Sequence, residues 1–153
     1  MLRTTSEIVS FAKCLEETTA ALYLNLAQRG PEWHDIFVAL HEQNVKHVRR
    51  IQRTYQNVIS DALEAGFAFR IEHGDFSIDA SEEGIVDLEE GLRRALSIER
   101  NIGRFYRLAA EQSRVLMADI PRAFDWLANE RDRRVDMLGE VDDPGSGGIC
   151  SSK

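Results

Sequence analysis

The chain has 153 residues, 43% of them hydrophobic and 29% charged, with a net charge of −7. That length supports one domain with a real core and is short for two. The acidic balance argues against nucleic acid or an anionic membrane as a partner, and no stretch approaches the roughly 20 apolar residues of a membrane helix.

Only three prolines and a strong helical periodicity predict an all-α fold. The first helix is expected from Thr4 or Thr5, where Thr4 and Glu7 have capping-box spacing, to just before Gly30-Pro31. Proline suits the opening turn of the second helix, predicted from about Glu32 to Glu64 with its stop at Gly66. The segment from Gly66 to Ala80 is too long for a tight turn. Phe67, Phe69, Ile71 and Phe76 alternate within it, which predicts a partly extended, packed connection. Such a connection suits a second helix that crosses over to a parallel third one. The third helix is predicted from just after Ser81 to about Ser113, with Glu82 and Glu83 favourable to its N-terminal dipole. The fourth starts after Asp119, with Pro121 in its first turn, and is expected to end at Gly139. From Asp142 onward Asp-Asp-Pro-Gly-Ser-Gly-Gly cannot hold a helix. The predicted organisation is therefore a four-helix bundle over residues 1–141 and a flexible tail over 142–153.

Cys14 and Cys150 are a distant pair and do not make a disulfide framework. Arg3, Glu7 and Lys13 interrupt any apolar run at the N-terminus, so no signal peptide is expected and a cytoplasmic location is. No nucleophile–base pair and no phosphate-binding glycine loop is evident, and His34, His41 and His73 read as solvated or loop-borne.

The two halves of the chain repeat each other. Leu15-Glu16, Leu22-Tyr23 and Ala27 recur, at one constant separation, as Ile98-Glu99, Phe105-Tyr106 and Ala110. Phe37, Leu40, Asn44 and His47 recur at a second constant separation as Phe124, Leu127, Arg131 and Arg134. A duplicated helix pair accounts for this most simply. Helical spacing then sets Glu16 in a row with Val9, Ala12, Ala20 and Tyr23, and Glu99 in a row with Ala95, Ile102 and Tyr106. Asn44 and His47 interrupt the apolar stripe of the second helix, and Arg131 and Arg134 that of the fourth. A single residue of this kind is more often solvated, and Glu17 becomes the inward residue if the register is one off. Their matched positions in both repeats favour six polar groups converging on one core.

The pattern over about residues 5 to 140 resembles the rubrerythrin-like branch of the ferritin-like superfamily. There the first and third helices each give a glutamate with a tyrosine seven residues on, as in Glu16 with Tyr23 and Glu99 with Tyr106. The second and fourth helices each give Glu-x-x-His, completing a di-iron carboxylate site. This chain departs from that motif: Asn44 stands for the glutamate before His47, and Arg131 and Arg134 fill both ligand positions of the fourth helix. The resemblance implies a ferritin-like four-helix bundle with a long crossover between helices 2 and 3, and a homodimer.

Charge decides what the departures imply. Four carboxylates balance two ferrous ions, whereas here two carboxylates face two guanidinium groups. Arginine is donor-only and shaped for bidentate pairing with carboxylate. The expectation is a metal-free network of Glu16, Asn44, His47, Glu99, Arg131 and Arg134, the loss of di-iron redox catalysis, and a structural or partner-binding role. A cation near two arginines meets repulsion of several kcal/mol even at an effective dielectric of about 20. The competing expectation is that Glu16, His47 and Glu99 retain one iron, manganese or zinc ion, as a non-haem oxidoreductase acting on peroxide or oxygen. Tyr23 and Tyr106 read as core packing. The tail, Gly145 to Lys153, reads as flexible and solvated; it also loosely resembles the loading peptides of encapsulin cargo, with Ser152 where such peptides carry a leucine.

Overall fold

The computed structural model describes residues 1–61, 68–116 and 119–142. Among these, four α-helices carry the fold: α1 (Thr5–Ala27), α2 (Pro31–Asp61), α3 (Leu88–Gln112) and α4 (Asp119–Asp142). The expected stop at Gly66, the Phe67 side chain, Cys150 and the tail from 143 onward lie outside the described residues. No helix among them is long and apolar enough to cross a membrane.

The start of α1 follows from its local chemistry. The Thr4 hydroxyl accepts from the Glu7 amide, and the Glu7 carboxylate accepts from the Thr4 amide, so two otherwise orphaned amides are satisfied. The third helix begins later than the acidic pair Glu82-Glu83 suggests. Gly84 takes φ +84, which breaks the helix, and Asp87 caps α3 by accepting from the Glu90 amide at 2.9 Å. Arginines hold the intervening turn: Arg29 donates to the Ile85 carbonyl, and Arg94 to the carbonyls of Ser81 and Glu83. The fourth helix passes through Gly139 and ends at Asp142, because a glycine with no αL turn after it weakens a helix without ending it.

The connection before α3 is tied to the N-terminus. Leu2 and Ile71 exchange backbone hydrogen bonds as one antiparallel bridge, and Phe69 donates to the Arg3 carbonyl. Phe69, Ile71 and Phe76 are buried, with Phe76 edge-on to Phe105 of α3.

The helices pack as α1 with α2 and α3 with α4, and these pairs meet through α1 against α3 and α2 against α4. In each pairing rising numbers on one helix meet falling numbers on the other. Ala20 meets His41 while Glu16 meets Asn44, and Tyr23 meets Glu99 while Tyr106 meets Glu16. Glu99 meets Arg134 while Arg107 meets Asp132, and Asn44 meets Arg134 while Arg50 meets Trp126. All four pairings are antiparallel.

Two glycines separate backbone economy from close packing. A methyl on Gly91 would stand 2.7 Å from the Trp33 ring, whereas one on exposed Gly139 would meet nothing. Gly91→Ala is expected to lose about 1–3 kcal/mol in urea unfolding. Gly139→Ala is expected to gain about 0.5–1 kcal/mol by the same measurement. Equal effects at both sites would refute the close approach of α3 to Trp33.

Candidate functional site

The helical rows bring all six predicted polar residues into one cluster. Glu16, Asn44, Glu99 and Arg131 are fully buried, His47 and Arg134 nearly so, and Glu17 is exposed, so Glu16 is the inward residue.

Arg131 sits at the centre. Its Nη1 donates to both oxygens of Glu99 at 2.7 Å, and its Nη2 donates to Glu16 Oε2. One guanidinium thus joins a carboxylate of each repeat. Arg134 Nη1 donates to Asn44 Oδ1 and to Glu99 Oε1 at 3.2 Å, while its Nε reaches Gln43 Oε1 at 2.9 Å. Asn44 Nδ2 in turn donates to the Glu16 carbonyl at 3.2 Å. Two carboxylates and two guanidinium groups leave the cluster neutral. Burial and the adjacent Arg134 charge push Arg131 well below the usual arginine range, and the two carboxylates it grips oppose that push. Arg131 Nε has no hydrogen-bond partner among the described residues.

The tyrosines do more than fill space. Tyr23 on α1 donates to Glu99 Oε2 on α3 at 2.6 Å, and Tyr106 on α3 donates to Glu16 Oε2 on α1 at 3.0 Å. Both phenols are pushed above their ordinary range, chiefly by burial and then, at Tyr23, by the Glu99 charge. They therefore stay protonated and act as donors. Core packing is therefore too small a role for them; the repeated Glu-Tyr spacing is the signal that could have found it, although each tyrosine serves the glutamate of the other repeat. Gln43 was not foreseen, being exposed and off the apolar stripe; only the reach of Arg134 recruits it. His41 also differs from expectation: it is half-buried and bonds the Ala20 carbonyl at 2.9 Å.

His47 Nδ1 lies 2.9 Å from Glu16 Oε1 and 3.4 Å from Arg134 Nη2. A carboxylate accepts and a guanidinium donates, so the closer contact assigns the Nδ1 proton to His47, donating to Glu16. Burial, then the Arg134 charge, lowers the His47 pKa to about 3, so the imidazole is neutral at pH 7. Glu16 would favour the charged ring, but its own charge is already held by Arg131.

The sign of the resulting pH dependence follows directly. The folded pKa of about 3 lies below the ordinary 6.5, so stability is complete above pH 6.5 and is lost as pH falls towards 3. The expected loss is at most about 1.4 kcal/mol per pH unit in that window. Urea unfolding at pH 7, 6 and 5 checks this. His47→Gln keeps a donor for Glu16 and is expected to flatten the profile; parallel profiles would contradict the neutral, buried imidazole.

Glu16, His47 and Glu99 do not fit a metal ion as they are arranged. Arg131 occupies both Glu99 oxygens and Glu16 Oε2, and His47 Nδ1 is committed to Glu16. Among the described residues no three His, Cys, Asp or Glu side chains form a group able to hold one.

No protein-family model matches this chain, and neither a curated protein nor a solved structure matches it. Fold and site define an all-α protein of four long helices around a buried, charge-balanced cluster of two carboxylates and two guanidinium groups.

Proposed function

We propose that this chain is a rubrerythrin-like protein of the ferritin-like superfamily in which arginines have replaced the metal ions. It has lost di-iron redox catalysis and keeps a structural or partner-binding role. The observation that carries this is Arg131 spanning Glu16 and Glu99, the two glutamates that match the family's ligands on the first and third helices. A guanidinium there supplies the positive charge a metal would supply and uses up the lone pairs a metal would need.

The topology belongs to the same proposal. With α1 antiparallel to both α2 and α3, the α2–α3 connection is a crossover between parallel helices, as ferritin-like bundles require. The chain is further proposed to act in the cytoplasm as a homodimer.

The deciding experiment is elemental analysis of protein purified without a metal-affinity tag, repeated after anaerobic ferrous loading. Less than about 0.1 metal per chain in both supports the arginine-filled core, since open Glu and His ligands would bind iron, manganese or zinc. Stoichiometric metal that is lost in Glu16→Gln or His47→Gln would overturn it in favour of a non-haem oxidoreductase acting on peroxide or oxygen.

A further inference from the structure

Along α3, two adjoining cavities of about 580 Å³ each border Phe76 or the residues just after it. Both are lined by Arg100 and Arg104, one helical turn apart on the same face of α3. The first cavity sets Arg93, Arg94, Arg100 and Arg104 against Asp79 and Glu90, an excess of two positive charges in a chain of net charge −7.

These arginines are not equivalent. Arg93 is engaged by Glu89 and Glu90, and Arg94 by Asp79 and two loop carbonyls. Arg104 lies over the Phe76 ring, 5.2 Å from its centroid, and donates to Asn101 Oδ1 at 3.1 Å. Exposed Arg100, at the junction of the cavities, has no hydrogen bond, ion pair or ring contact among the described residues. Beyond that junction the second cavity offers apolar surface from the half-buried Leu108 and Val135, with Glu111 and the Arg107–Asp132 ion pair at its border.

We propose that this groove binds a soluble organic phosphate monoester. Its phosphoryl group lies between Arg100 and Arg104, and its apolar body over Leu108 and Val135. A phosphate dianion matches the two unopposed charges, and the guanidinium fork matches its oxygens. Glu111 and the acidic chain as a whole repel an extended polyanion or an anionic bilayer, which selects a small ligand.

The test titrates phenyl phosphate and inorganic phosphate into the full chain by calorimetry at low ionic strength. The expected result is saturable binding at one per chain, tighter for phenyl phosphate. Arg100→Gln is expected to weaken it about tenfold or more, the size of one lost charge-assisted bond. Arg133→Gln, on an exposed part of α4, leaves it unchanged. Because Arg100 is exposed and unpaired, its variant keeps the helical circular dichroism of the parent. Unsaturable binding, equal affinity in Arg100→Gln, or binding to phosphatidic acid vesicles without binding to phenyl phosphate would each overturn the proposal.

Discussion

Arg131→Leu is expected to cost about 3–5 kcal/mol of stability at pH 7, measured by urea unfolding. The loss comes from what stays behind. Glu99 gives up the Nη1 donor on both oxygens, Glu16 gives up the Nη2 donor, and both carboxylates are fully buried. Tyr23, Tyr106, His47 and Arg134 still reach them, with Arg134 the single remaining cation in the contact set. One carboxyl is then expected to take up a proton in the folded state. A carboxyl pKa raised by folding favours stability at low pH, so the variant's deficit is smaller at pH 5 than at pH 8. Removing the opposite charge as well restores balance. Glu99→Gln with Arg131→Met leaves Glu16 with Arg134 and keeps an amide oxygen for the Tyr23 hydroxyl. This double variant is expected to recover most of the loss, giving strong coupling in a double-mutant cycle. An Arg131→Leu variant within about 0.5 kcal/mol of the parent would show that the cluster is not held by that guanidinium.

The second large effect converts the cluster back towards metal ligation. Asn44→Glu, Arg131→Glu and Arg134→His together would put Glu-x-x-His on α2 and on α4, facing Glu16 and Glu99. Four carboxylates then converge with no guanidinium among them, so the metal-free triple variant is expected to be much less stable than the parent. Cobalt(II) is expected to bind at two per chain, with visible ligand-field absorption, and to restore the fold. The stabilisation is about 2.7 kcal/mol for each site when free metal is roughly a hundredfold above its Kd. The parent is expected to bind none. A triple variant that remains helical yet takes up no cobalt would sink the ferritin-like reading of the core, because those side chains would not share a centre.

Much of this site was legible along the chain. Glu16, Asn44, His47, Glu99, Arg131 and Arg134 were all placed inward from helical spacing and from their matching positions in the two repeats, and all six are buried. Spacing along a helix decides which side chains share a face, so a polar residue inside an apolar stripe can be recognised without coordinates. The helix ends were less legible. Glu82 and Glu83 carry an N-terminal signature as good as that of Asp87, yet α3 starts after Asp87. The turn at Gly84 and the arginines that grip it settle the matter, and Arg29 comes from a distant part of the chain.

The sequence by itself determined the helical class, the duplicated pattern, the inward register and the charge balance of the core. These depend on local periodicity and on residue type, which a chain carries wherever it folds. Only the tertiary structure decided who bonds to whom. Tyr23 serves Glu99 and Tyr106 serves Glu16, Arg131 takes both carboxylates, and Arg134 reaches Gln43 as well as Asn44. Each of those bonds joins different helices, so it depends on the relative shift and rotation of packed elements. That shift is set by how the apolar faces interlock, a property of pairs of helices that spacing within one helix does not contain.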